Sequence, residues 1–234
     1  MIKYIGNELE IFELATRWKQ YYKQFINQYL NGDVLEVGAG IGGTTANLCN
    51  GTQNSWICLE PDPTLLKTIK NKIQDDILSS ICQPVCGTLD GLKQDLTFDT
   101  ILYIDVLEHI FDDKNELEKA FSKLKKGGYL IILAPAHNYL FSIFDKAVGH
   151  YRRYNRKSLT KIFPKGLSIE KQYYLDSVGL FLSLTNKWLL KQSVPSVKQI
   201  KIWNKYFIPA SKRLDSFIRY KFGKSILFIA RKIS

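Results

Sequence analysis

The chain has 234 residues, 45% hydrophobic and 24% charged, with 33 Lys and Arg against 22 Asp and Glu, a net charge of +11. That balance belongs to a globular protein with a core of its own, and no run reaches the ~20 apolar residues of a membrane span. Cys49, Cys58, Cys82 and Cys86 form neither a CxxC pair nor a zinc spacing, and Met1–Glu10 is no signal peptide, so a reducing cytoplasm is expected.

In chain order, Asn7–Leu30 carries Ile11, Leu14, Ala15, Trp18, Tyr22, Phe25, Ile26 and Tyr29 at helical spacing. Asn7 caps its start and Asn31-Gly32 closes it. The apolar run Asp33–Val37 leads into a glycine-rich turn and a helix, Thr44–Cys49. Trp56–Leu59 reads as the next strand, and Asp62 caps a helix with Pro63 in its first turn. Pro84–Cys86, Phe98–Ile104 and Tyr129–Ala134 are further buried strands, with an amphipathic helix at Asp112–Lys126 stopped by Gly127-Gly128. Strands alternating with helices predict a doubly wound, mostly parallel α/β sheet over residues 33–134.

Beyond it, Pro135–Tyr154 is a polar and aromatic loop, Asn155–Phe163 a short helix and Leu167–Tyr174 a strand. Val178–Leu190 is apolar and helical, Ser193–Lys198 a linker, and Ile200–Tyr220 one or two basic helices broken near Pro209. Ser225–Ala230 is the last strand. The expected organisation is one domain: a lid helix at 1–31, a cofactor-binding core at 32–135, and a substrate-side loop, helical insertion and final strands at 136–234.

Val34–Gly43 is the most informative stretch. Gly38, Gly40 and Gly43 satisfy G-x-G-x-x-G, with Glu60 about twenty residues on, a pattern that also suits a nicotinamide oxidoreductase. Glu36 stands two residues before the first glycine, where a carboxylate repels a pyrophosphate and attracts a cation. Asp105 ends another strand at the edge where open α/β sheets bind ligands. Two acids facing one crevice suit a cationic ligand such as S-adenosylmethionine.

In these motifs the chain resembles the class I S-adenosylmethionine-dependent methyltransferases over about Gly32–Pro135. Asp33–Gly43, with Glu36, Gly38 and Gly40, resembles their first motif, and Leu59-Glu60-Pro61 the acid that holds the ribose hydroxyls. Gly87-Thr88-Leu89 resembles the segment that meets the adenine, Phe98–Ile110 the fourth motif, and Leu124–Pro135 the Lys-Gly-Gly hairpin before the fifth strand. Thr88 departs from the pattern, since many relatives carry an Asp there. The resemblance further implies an antiparallel edge strand at Ser225–Arg231 and a lid role for Asn7–Leu30; simple packing on the sheet explains that helix as well.

Methyl transfer displaces a sulfonium methyl, so the enzyme aligns a nucleophile, excludes water and, for an oxygen nucleophile, places a base. The three histidines, His109, His137 and His150, lie at or beyond strand ends on the cofactor side. Asp105-Val106-Leu107-Glu108-His109 resembles the acid-x-x-Glu-His arrangement by which some methyltransferases hold a divalent metal, with His137 as a fourth ligand. Helix capping accounts for it too, and no metal is expected. Gly149-His150-Tyr151-Arg152-Arg153-Tyr154 resembles the loop of a bacterial group of methyltransferases. Read for function, Arg152 and Arg153 hold an acidic acceptor and His150 takes its proton. Read for structure, the arginines tie the loop to backbone and to Asp145 or Asp176.

The expected function is methylation of a small-molecule or lipid-linked saccharide acceptor. The charge also suits a nucleic-acid methyltransferase, but no Asn/Asp-Pro-Pro-aromatic signature is present, and nucleic acid is not an expected partner. A non-catalytic cofactor-binding module is the alternative from another class. Only Asp215 is acidic from Lys187 onward, and Ile200–Lys224 interleaves Trp203, Tyr206, Phe207, Phe217 and Tyr220 with Lys and Arg. That pattern suits peripheral contact with an anionic membrane, or an apolar face packed beneath a solvated basic one.

Overall fold

The computed structural model describes residues 8–185 and 195–234. Seven strands form one sheet: β1 (Asp33–Val37), β2 (Ser55–Glu60), β3 (Cys82–Cys86), β4 (Phe98–Ile104), β5 (Leu124–Pro135), β6 (Leu167–Leu175) and β7 (Ser225–Lys232). Their order is β3-β2-β1-β4-β5-β7-β6, with β7 antiparallel to both β5 and β6 and the first five strands parallel. The expected doubly wound, Rossmann-like sheet is therefore present. β7, expected at the edge, lies inside, because β6 pairs on its far side.

Alternate residues of each strand enter opposite cores, as a pleated strand covered on both faces requires. Val34, Trp56, Cys58 and Leu102 pack on one face against α2 (Thr16–Ile26) and α4 (Pro63–Gln74). Leu35, Ile57, Ile101 and Tyr103 pack on the other against α5 (Asp113–Lys123) and α7 (Arg156–Lys161). Asp62 caps α4 by accepting from Thr64 N at 2.7 Å, with Pro63 following.

The N-terminal helix is two helices, α1 (Glu8–Glu13) and α2, and Asn7 lies outside the described residues. Asn204 makes the break: its Nδ2 donates to Leu14 O (3.2 Å) while its Oδ1 accepts from Trp18 N (3.1 Å). Between β1 and β2 lies α3 (Thr45–Leu48). α5 ends at Lys123 rather than Lys126, because Leu124 already pairs with Phe98 and Gly127-Gly128 lie within β5.

After β5 come α6 (Ile143–Ala147), α7 and β6, then a helical layer of α8 (Ser177–Thr185), α9 (Val197–Ile202) and α10 (Ile208–Phe217). The rest of the Val178–Leu190 helix and the start of the Ser193–Lys198 linker lie outside the described residues. α9 runs into α10 through a π-helical turn at Trp203–Phe207. Pro209, with no N–H to donate, falls in the first turn of α10, so the proline marks a change of winding rather than a break.

Two buried acids lock this layer in place. Asp176 accepts from Gly179 N (2.9 Å), Ser211 Oγ (2.6 Å) and Trp203 Nε1 (2.9 Å). Asp215 accepts from Tyr21 OH (2.8 Å), Asp176 N (2.7 Å) and Ser177 N (2.9 Å). Among the described residues no helix is long and apolar enough to cross a membrane.

Candidate active site

At the C-terminal end of β1 the chain reverses beneath the start of β2's turn, with Gly38 N and Ala39 N donating to Leu59 O at 2.8 and 3.1 Å. Gly38 has φ +67, and a Cβ there would stand 2.7 Å from the Val106 side chain. Gly40 and Gly42 also take positive φ, whereas Gly43, the third glycine of the sequence pattern, does not. Glu60 fastens this turn to the end of β2: Oε2 accepts from Gly40 N (2.8 Å) and Oε1 from Asp62 N (2.9 Å). Burial raises its pKa against those two bonds.

Pro61 follows Glu60, and Gly87 N donates to Glu60 O at 3.1 Å. Exposed Thr88 and buried Leu89, which begin a short 3₁₀ turn, therefore lie beside Glu60. Glu36 sits behind the glycine turn and is almost fully buried. Its Oε2 accepts from Thr45 Oγ1 (2.7 Å) and Trp56 Nε1 (2.9 Å), and burial pushes its pKa up to about 7.

A cavity of about 500 Å³ opens beside the turn, the size of a pocket for a small ligand. Gly38, Gly40 and Asp105 form its floor; Phe12, Trp18, Lys19 and Tyr22 line it from α1 and α2. Phe144, His150 and Arg153 line it from the segment after β5, and Leu182, Ile200 and Trp203 from the helical layer. Glu36, Glu60, Pro61, Thr88, Leu89 and Arg152 are not among its walls. The carboxylate of Asp105 is bare to the cavity but ringed by protein. Removal from bulk water pushes its pKa up to about 6, against the pull of His150 and Lys224. Its backbone is left-handed, φ +54, an uncommon geometry outside glycine.

Across from Asp105 stand Glu108, His109 and His150. Glu108 is completely buried and neither of its carboxylate oxygens has a hydrogen-bond partner from another residue. Burial, then the Asp105 charge, raises its pKa well above the usual range. His109 is pushed down to about 4 by burial and by His150, whose ring lies 4.6 Å away edge to face. His150 Nδ1 meets Asp145 Oδ1 at 2.8 Å, and its Nε2 is 3.8 Å from Glu108 Oε1.

Buried Asp145 also takes both Arg153 Nε (2.8 Å) and Nη2 (3.0 Å), and Ser142 N at 2.8 Å. Burial works against its charge, yet His150 and Arg153 outweigh that and hold the carboxyl far below the usual range. Arg152 turns outward to Asp113 Oδ2 (2.7 Å) and Phe111 O (2.7 Å). Arg153 is thus spent on Asp145 of its own loop, whereas Arg152 ties the loop to the start of α5 through Asp113, a partner that the structural alternative, with Asp145 or Asp176, did not name. His137, considered as a fourth metal ligand, instead stacks on Tyr139 and Tyr174 at 5.0 and 4.7 Å.

Two cavity lysines escaped the sequence reading. Lys224, just before β7, lies 3.5 Å from Asp176 Oδ2 and 4.2 Å from the Trp203 ring centroid. Lys19 sits against Gly43 and is pushed down in pKa by burial. A signal for it existed: with Phe12, Ala15, Tyr22 and Ile26 it completes a heptad-like apolar stripe on which a lysine is out of place.

Sheet order, glycine turn and the acids at the strand ends give the chain a Rossmann-like fold of the kind seen in class I methyltransferases. Residues 35–130 match a family model described as a methyltransferase domain. It is 22% identical over 166 residues to the mitochondrial ubiquinone biosynthesis O-methyltransferase of Schizosaccharomyces pombe, covering 70% of this chain. The chain spans only 57% of the length of that curated relative.

The fold matches an S-adenosylmethionine-dependent methyltransferase from Clostridium acetobutylicum with TM-score 0.58 and 15% identity, covering 94% of this chain and 92% of the other. It also matches the N-methyltransferase NodS of Bradyrhizobium japonicum, solved with S-adenosyl-L-homocysteine, with TM-score 0.57 and 14% identity, covering 93% and 86%.

Proposed function

We propose that this chain transfers the methyl group of S-adenosylmethionine to an oxygen of a small or lipid-linked acceptor held in the cavity. The observation that carries this is the joining, in one cavity, of the glycine turn and Asp105 with His150, whose Nδ1 is held by Asp145. The residues suit the cofactor. Gly38 and Gly40 let backbone approach it, Asp105 draws its cationic amino and sulfonium groups, and Lys19 meets its carboxylate. Glu60 accepts from the ribose hydroxyls, with Pro61, Thr88 and Leu89 beside the base, while Glu36 adds negative potential from behind the turn. When bound, the cofactor supplies an electrophilic methyl; the protein aligns the acceptor and keeps water out.

The acceptor end is walled by Leu140, Phe144, Val148, Leu182 and Phe207, which favours an acceptor with an apolar body. The O-methyltransferase named above supports oxygen as the methylated atom. With Arg152 and Arg153 committed elsewhere, Lys224 is the cation on this side for an acidic acceptor group, and His150 acts on the acceptor's oxygen. Exposed Phe181, Tyr206 and Phe222, and exposed Lys198, Lys201 and Lys205 beside Tyr206, favour a lipid-linked source and contact with an anionic membrane.

Calorimetry tests the cofactor: S-adenosylmethionine or its demethylated product binds and NAD does not. His150→Ala lowers turnover while cofactor affinity holds. Tight NAD binding with none of the sulfonium compound would overturn the reading.

A further inference from the structure

Glu108 presents a problem that the cofactor does not solve. A fully buried carboxylate with no hydrogen-bond partner from another residue on either oxygen is a costly arrangement unless it is neutralised or binds a cation. Two histidines stand close to it. One atom each from Glu108, His109 and His150 lie within 4.8 Å of one another, and the Glu108 Oε1 to His150 Nε2 distance is 3.8 Å. Around a tetrahedral ion with bonds of about 2.0–2.2 Å, ligand atoms stand about 3.4 Å apart. Small side-chain rotations close that difference.

Both imidazoles are also held from behind. Asp145 fixes Nδ1 of His150 at 2.8 Å and is itself clamped by Arg153 and Ser142. His109 has a backbone hydrogen bond with Gly149. A carboxylate or carbonyl on one ring nitrogen, leaving the other a lone pair, is how metal-ligating histidines are oriented. The three residues border the cavity, so any position left open on an ion there faces the acceptor.

We propose that Glu108, His109 and His150 form a three-ligand site for a divalent transition metal of the zinc or cobalt kind, at the acceptor end of the cavity. One carboxylate and two imidazoles suit such ions better than magnesium, which prefers oxygen ligands throughout. This rests on reading the cavity as the acceptor's chamber. A divalent ion lowers the pKa of a hydroxyl bound to it. The acceptor's O–H proton then passes to water, its O–C bond forms as the S–C bond of the cofactor breaks, and the electron pair of that bond stays on sulfur. In the loaded enzyme His150 is a ligand, and its action on the acceptor oxygen runs through the ion. Asp145 is then a positioning residue.

The test uses the full chain stripped with a chelator and titrated with Co²⁺, read by the visible absorption of the ion. The expected result is saturable binding of one equivalent, displaced by Zn²⁺, with Zn²⁺ raising the melting temperature. Glu108→Gln and His109→Gln abolish the absorption and the thermal shift, and Asp145→Asn weakens affinity about 10–100-fold. Calorimetry with S-adenosyl-L-homocysteine runs in parallel on every variant and reports both folding and the cofactor reading independently. No saturable Co²⁺ band in the wild type at millimolar ion overturns the proposal. So does a band that persists in folded Glu108→Gln and His109→Gln. If one variant fails to fold, the other decides.

Discussion

Glu60 anchors Gly40 N and Asp62 N, and in the proposed function its oxygens also accept from the ribose hydroxyls. Charge-assisted hydrogen bonds contribute about 1.5–3 kcal/mol each. Glu60→Ala is therefore expected to weaken cofactor binding at least tenfold (about 1.4 kcal/mol) and to lower the melting temperature, as calorimetry and thermal melts would show. Unchanged affinity in a folded variant would move the ribose elsewhere.

Glu36 yields a pH prediction. Its pKa is near 7 in the folded chain against an ordinary 4.5, so between those values the folded state holds a proton that the unfolded chain releases. Its contribution to stability is full below about pH 4.5 and declines as pH rises to about 7, by on the order of 3 kcal/mol. Glu36→Gln removes that decline. Denaturant titrations of both proteins across this range check it, and a constant difference between them would refute it. The places of Glu36, Glu60 and Asp105 at or beside the ends of their strands were legible because a motif names them. The fate of Arg152 and Arg153 was not, since their type is the same whether they bind a ligand or an Asp of the chain itself.

At the scale of elements, the periods of two and 3.6 place every strand and most helices, because burial on each face is written locally. What they miss is imposed from far away. The break after Leu14 depends on Asn204, 190 residues distant from Leu14, and the end of α5 on the pairing of Leu124 with Phe98. Asn204→Ala leaves the buried Trp18 N–H without its acceptor, a loss of about 1–3 kcal/mol. Denaturant unfolding is expected to show that loss without any change in sheet content by circular dichroism. A variant as stable as the parent would mean that the break is intrinsic to the N-terminal segment.

For the whole molecule, the helical layer that walls the cavity carries exposed Lys198, Lys201, Lys205, Lys212 and Arg213. Sedimentation with anionic but not neutral vesicles is expected at low ionic strength and is lost as salt screens the surface. Protein that stays in the supernatant with anionic vesicles at low salt would remove membrane contact from the proposed function. The run of basic residues after Lys187 points to this region, but the sequence does not say which lysines share a surface.

The place of β7 between β5 and β6 has a bearing on synthesis. A ribosome delivers β6 well before β7, yet β6 has no partner in the sheet until residues 225–232 arrive. Until then the growing chain shows two open strand edges, one on β5 and one on β6, each a template for wrong pairing. The parallel half from β1 to β5 is free to form early, during elongation, whereas closing the sheet waits for the last strand. A chain stalled before Ser225 is thus a nascent chain with two sticky rims, and a natural client for whatever shields such edges at the tunnel exit.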